Sequence, residues 1–215
     1  MFMPTAYTIK PTSAEQRLQD LIKQRIQPGC DRVALDQRIW DLFGEEWAVM
    51  FTDLSGFSRQ VATFGIIHFL QIIYESLRVL TPVIEGHDGF LLKVEADSMM
   101  IVFRKPHSAL QCALEMMRTL ETYNRDRPED EKVLLCVGLG FGRMLRIGDH
   151  EVFGSEVNAA SKLGEDTAKG REILVTEQFV HAVKTELPAG LAFEQLKDTV
   201  PGAKSAHKCV YPLKD

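Results

Sequence analysis

Two aspartates stand out by position. Asp53 closes the short apolar run Trp47-Ala-Val-Met-Phe51-Thr, and Asp97 sits in the tight link Glu95-Ala96-Asp97 between two apolar stretches. Carboxylates at strand ends are well placed to hold a hard cation. Magnesium takes oxygen ligands, typically one or two carboxylates completed by phosphate oxygens. Two such ions can clamp the attacking and the leaving oxygen of a displacement at phosphorus. The plainer alternative for either residue alone is a turn cap.

The surrounding pattern says what must position them. Trp47 to Phe51 is a continuous apolar run and predicts a buried strand. Ile66, Phe69, Leu70, Ile73, Leu77, Leu80 and Ile84 share one helical face. Phe90–Val94 and Ser98–Phe103 predict two strands joined through Asp97, and Pro106 opens a further helix. Val133–Phe141 predicts a strand, 155–164 a short helix, 172–176 a strand, 178–185 a helix and 209–211 a last short strand. This order mixes helices with antiparallel strands and lacks regular βαβ units. It predicts an α+β fold with a ferredoxin-like, split βαβ core and a mainly antiparallel sheet. Before it, residues 1–12 read as a loose arm, followed by two helices: one capped at Ser13, the other over Arg32–Phe43. The expected division is an N-terminal arm and helical lead-in over 1–45 and a single functional domain over 46–215.

Composition narrows the function class. The chain has 215 residues, 45% of them hydrophobic and 26% charged, with a net charge of -5. That supports a real core and disfavours a nucleic-acid binder, which would carry a basic patch. No apolar stretch reaches membrane-spanning length, and a soluble, cytoplasmic protein is expected. Cys30, Cys112, Cys136 and Cys209 share no ligand-like spacing, and Cys112 and Cys136, which lie in apolar runs, are expected to be small core residues.

Three ordered blocks carry a family resemblance. Phe51-Thr-Asp-Leu-Ser-Gly-Phe57 resembles the opening metal motif of the class III nucleotidyl (adenylate/guanylate) cyclases. Leu92-Lys-Val-Glu-Ala-Asp-Ser-Met-Met-Ile-Val-Phe103 resembles that family's second motif, with Ala96 at the position of its usual glycine. Glu151-Val-Phe-Gly-Ser-Glu-Val-Asn-Ala-Ala-Ser-Lys-Leu163 resembles the third, and Ala168–Thr176 continues it. The resemblance spans Trp47 to Val180.

What the resemblance implies is specific. Asp53 and Asp97 would bind two divalent ions, Mg2+ or Mn2+, with the backbone carbonyl of Leu54. The site would lie across a head-to-tail homodimer, with metal carboxylates from one chain and base-reading groups from the other. Lys93 would donate to adenine N1, as a lysine is only a donor, and Glu151 would accept from the adenine amino group. Taken alone, Lys93 is also a solvated strand lysine and Glu151 an exposed hairpin residue. Asn158 would position the ribose; its alternative is a polar residue on a helix face. Lys162 stands where the family has arginine, four residues after the asparagine, and lacks the planar fork. Arg143, Arg146 or Lys169 could substitute for that charge. Lys204 would contact phosphate.

The implied activity is conversion of ATP to 3′,5′-cyclic AMP and pyrophosphate. The alternatives are a weak or inactive nucleotide-binding module, or a cyclase for GTP or a pyrimidine nucleotide. A diguanylate cyclase shares the core but needs a Gly-Gly-acidic-Glu-Phe signature that this sequence lacks. The lead-in helices could receive a regulatory partner.

Overall fold

The computed structural model describes residues 13–56, 63–197 and 200–212. The expected arm over 1–12 and Phe57 of the first motif lie outside them. Helices α1 (Ser13–Arg25) and α2 (Arg32–Phe43) open the described chain. Asp31 caps α2, its side chain accepting from the Ala34 N–H at 3.0 Å. Then follow β1 (Gly44–Leu54), α3 (Ile66–Gly86), β2 (Phe90–Glu95), β3 (Ser98–Phe103), α4 (Pro106–Asn124) and β4 (Leu135–Ile147). The remainder is β5 (Glu151–Phe153), α5 (Ser155–Ser161), a π-helical turn (Lys162–Thr167), β6 (Ile173–Thr176), α6 (Glu177–Val183), β7 (Ala192–Gln195) and β8 (Ala206–Val210).

The strands form one sheet in the order β2-β3-β1-β4-β6-β8-β7, with β5 paired to β4. Among the described residues only β4 and β6 pair in parallel; the other pairs are antiparallel. The segment from β1 to β4, with α3 and α4 as its crossovers, is the split βαβ arrangement expected from the sequence.

Strand β1 explains its own uninterrupted apolar run. Ala48, Met50 and Leu54 point into the core under α3 and α4, with Phe69, Leu80, Leu110 and Met116. Trp47 and Val49 point the other way, into a second cluster with Met100, Val102, Val157 and Ala160. Both faces are covered, so neither set of alternate positions is polar. Period-two alternation then places Asp53 on the second face, the one beneath α5.

That face is unusually smooth where α5 crosses β4. A Cβ at Gly138 would stand 2.1 Å from the Ala160 carbonyl oxygen and 2.4 Å from the Gly164 nitrogen. One at Gly140 would stand 2.6 Å from the Glu156 carbonyl oxygen. Helix α5 therefore rests on bare strand backbone. Its buried Glu156 fastens it there, accepting from the Thr176 hydroxyl at 2.6 Å and the Phe141 N–H at 3.3 Å. Burial raises the Glu156 pKa, and these two donors oppose that rise.

The lead-in packs on the far end of the sheet. Leu21 of α1 with Ile39 and Phe43 of α2 close over Ile147 of β4. Strand β1 begins at Gly44, continuous with α2. Strand β4 runs six residues beyond the expected Phe141, and β5 and β7 are additional to the expected elements. Cys112, Cys136 and Cys209 are buried and free, with thiols pushed up to about 12, chiefly by burial. A thiol held that high is a poor nucleophile.

Gly138→Ala should lower the unfolding free energy by about 3 kcal/mol, because the intruding methyl meets backbone on both sides and cannot be relieved by a rotamer change. Urea denaturation followed by circular dichroism checks this. An unchanged midpoint would mean that α5 does not sit on β4 as described.

Candidate active site

Asp53 is half-buried near the end of β1, and Asp97 sits in the two-residue link between β2 and β3. The Ser98 hydroxyl donates to Asp53 Oδ1 at 3.2 Å. Burial, then the charge of Asp97, pushes the Asp53 carboxyl up from 3.8 to about 6; the Ser98 hydroxyl and the Leu54 N–H pull the other way. Two carboxylates in this relation favour a shared cation. Among the described residues, no group of three or more His, Cys, Asp or Glu side chains could hold an ion. Divalent ions held by Asp53 and Asp97 would thus take further oxygens from backbone, water or phosphate, which fits magnesium chemistry.

The link holding Asp97 is strained at one residue. Ala96 has φ 51°, in the left-handed region that costs a non-glycine residue roughly 1–2 kcal/mol. Glycine would adopt it freely. The sequence departure from the family's glycine at this position is therefore a departure in local energy, while the turn geometry is kept.

Beside these carboxylates, on the same face of the sheet, lies a cleft of about 190 Å³. Phe51, Met100, Val152 and Val157 supply its apolar wall, and Lys93, Glu95, Glu151 and Glu165 its charged groups. The Lys93 ammonium lies 2.7 Å from Glu95 and 3.8 Å from Glu151. Its pKa is raised, first by the Glu95 hydrogen bond and further by the charge of Glu151. The structure thus brings Lys93 and Glu151, 58 positions apart in sequence, into one cleft. A slot with one apolar wall and a donor beside carboxylate acceptors can take a planar heterocycle.

Helix α5 and the turn after it carry the remaining candidates. Asn158 is exposed, and its side-chain amide donates to the Pro201 carbonyl at 3.0 Å. Gly202 of the same loop lies so close to α5 that a Cβ would come within 2.5 Å of the Ser155 carbonyl oxygen. Exposed Lys204 is carried by this loop. Lys162 is paired with Asp166 at 2.5 Å, which raises its pKa. Both are exposed, so the pair is loosely held. The two arginines weighed as substitutes are engaged elsewhere. Arg143 donates to the Trp40 carbonyl at 3.2 Å, and Arg146 stacks on Trp47 at 4.5 Å. Lys169 follows the π-helical turn, its backbone N–H bonded to Glu172 at 3.0 Å.

Three contacts were not foreseen from the sequence: Ser98 on Asp53, Glu95 on Lys93 and Asp166 on Lys162. The first follows from the register of β1 on β3, and the second from the period of β2, which puts residues two apart on one face. The third has a sequence signal in its i,i+4 spacing.

The model for the adenylate and guanylate cyclase catalytic domain matches residues 44–211. The chain belongs to that family. Members are generally lyases that make cyclic nucleotides with divalent metal ions. Among curated relatives, the putative adenylate cyclase 3 of Rhizobium meliloti (strain 1021) is 28% identical over 116 residues, covering 54% of this chain and 20% of that protein. The serine/threonine-protein kinase pkn2 of Myxococcus xanthus is 27% identical over 129 residues, covering 60% and 15%. This chain thus spans a fifth or less of the curated relatives it matches. Among solved structures, the adenylyl cyclase CyaB from P. aeruginosa superposes with a TM-score of 0.65 at 16% identity, covering 80% of this chain and 97% of that one. The adenylate/guanylate cyclase/hydrolase from Silicibacter pomeroyi gives 0.63 at 20%, covering 79% and 98%. The likeness to these structures is one of fold.

The raised carboxyl of Asp53 gives this cyclase domain a pH signature. In the unfolded chain Asp53 ionises near 3.8; in the fold it ionises near about 6. Its contribution to stability is therefore full below the lower value, falls as pH rises to about 6, and is flat above. Melting in EDTA should show that fall, and Asp53→Asn should flatten it. A wild-type profile identical to the variant's would contradict the crowding of Asp53 with Asp97.

Proposed function

We propose that the protein is an adenylate cyclase that converts ATP to 3′,5′-cyclic AMP and pyrophosphate. The observation that carries this reading is the convergence of Lys93 and Glu151 in one cleft with an apolar wall, on the face that bears Asp53. Lys93 donates to adenine N1, and Glu151 accepts from the 6-amino group. The putative adenylate cyclase among the relatives favours the same base.

Asp53, Asp97 and the Leu54 carbonyl would hold two Mg2+ or Mn2+ ions, which would supply Lewis-acid activation of the ribose 3′-hydroxyl and charge neutralisation for the departing pyrophosphate. Asn158 orients the ribose so that O3′ lies in line with the α-phosphorus. The new bond is O3′–Pα, the 3′-hydroxyl proton passing to solvent; the bond that breaks joins Pα to the bridging oxygen, which leaves with pyrophosphate. Lys162 places positive charge against the reacting phosphate, and Lys204 contacts the phosphate chain. Most of the acceleration is positioning and charge stabilisation. In a homodimer, each site takes its metal carboxylates from one chain and Lys93, Glu151, Asn158 and Lys162 from the other. The lead-in over 1–45 supports this dimer or receives a regulatory partner, the domain over 46–215 does the chemistry, and the enzyme works in the cytoplasm.

One observation favours a second reading, a nucleotide-binding module with little turnover. Lys162 is already paired with Asp166, and it lacks the bidentate fork of arginine.

Product identification with each of the four ribonucleoside triphosphates, in Mg2+ and in Mn2+, separates these readings. The expected result is cyclic AMP from ATP, abolished by Asp53→Ala. Lys162→Arg should raise kcat by roughly tenfold or more, the scale of a focused charge at a transition state. A protein that binds a triphosphate and returns every one unconverted would leave only the binding module.

A further inference from the structure

Glu95 has the shortest contact to the proposed base-reading lysine, yet none of the roles above falls to it. Its carboxylate is 2.7 Å from the Lys93 ammonium, closer than Glu151 at 3.8 Å. The geometry follows from the hairpin. A bulge between Leu91 and Lys93 shifts the register, so that Lys93 stands opposite Met100 of the second cluster. Bulges re-aim side chains in this way. Glu95 is two residues on, hence on the same face, and both line the cleft. It is also the residue paired with Ser98, whose hydroxyl holds Asp53. One closing pair of the hairpin thus touches both the lysine of the cleft and the carboxylate of the metal site.

A lysine makes an indiscriminate reader. Its stem is flexible, its head carries three equivalent donors, and those donors suit adenine N1 and guanine O6 alike. Resting on the reading of the cleft as a base subsite, we propose that Glu95 is a positioning residue for base selection. Both side chains are largely exposed, so the contact biases the Lys93 head rather than locking it, and the remaining N–H donors are presented beside Glu151. The edge then offered to a base is a donor with a carboxylate next to it. Such an edge accepts a ring nitrogen flanked by an amino group, and it repels a keto oxygen brought against Glu151. Ordering the lysine before the nucleotide arrives also removes part of the entropy cost of binding. The ligand class is a 6-aminopurine nucleotide in preference to a 6-oxopurine one.

The test uses the full chain and equilibrium binding of non-cyclisable ATP and GTP analogues, beside steady-state kinetics with ATP. Glu95→Ala should raise the Kd of the ATP analogue and the KM for ATP by about threefold, the scale of an exposed ion pair, leave kcat within about twofold, and narrow the preference over GTP. Glu95→Gln keeps one acceptor for the ammonium and should recover most of the loss, which a merely structural role would not produce. Lys93→Ala combined with Glu95→Ala should lose no more than Lys93→Ala alone, since Glu95 acts through the lysine. Wild-type affinity and selectivity in Glu95→Ala, or losses that add in the double variant, would overturn the proposal. If the wild-type chain binds neither analogue, the reading of the cleft itself fails, and this inference falls with it.

Discussion

Two carboxylates brought together near the end of one strand and in the adjoining hairpin set the terms for the rest of this structure. Asp53 is half-buried and faces the charge of Asp97, so its ionised form is disfavoured until a cation arrives. A chain arranged only for stability would not hold them so. The arrangement persists because β1 and β3 are paired rigidly over five residues, with Thr52 opposite Met99 and the hairpin link just beyond. Strain is accepted at Ala96 to keep the link tight. Local instability at a site held by a firm scaffold is what a binding function requires.

The second constraint is the close approach of α5 to β4. Removing Cβ at Gly138 and Gly140 lets the helix descend onto the strand backbone, and Glu156 fastens it from below. That descent brings Val157 into the cleft wall, and it holds Asn158 on the helix's exposed side, against the loop that carries Lys204. Beyond Ser161 the helix widens into a π-helical turn, where Lys162 meets Asp166 and Glu165 reaches the cleft. Such turns occur often at functional sites, since they redirect side chains without ending the helix.

Much of the fold was legible because its signals are local and periodic. The apolar run before Asp53, the helical stripe from Ile66 to Ile84 and the paired runs around Asp97 each became the expected element. The convergence of Lys93 with Glu151 was implied by family resemblance rather than by spacing, for nothing in the intervening residues dictates a sheet order that joins β2 and β5 to one cleft. Other features were illegible for identifiable reasons. Strand β5 is three residues and β7 four, too short to show a period. The extension of β4 to Ile147 carries Arg143 and Arg146, whose charge hides strand character until Trp40 and Trp47 are seen to stack on them. Glu95 shares a face with Lys93 by the period of β2, but only the structure shows their carboxylate and ammonium in contact.

The central claim is that Asp53 and Asp97 form the metal half of a nucleotide site and the Lys93 cleft the base half. Mn2+ titration in the presence of a non-cyclisable ATP analogue tests it most directly. The account predicts that Asp53→Asn and Asp97→Asn each weaken Mn2+ binding by about tenfold or more, while metal-free binding of the analogue stays near wild type. Equal Mn2+ affinity in all three proteins would contradict it.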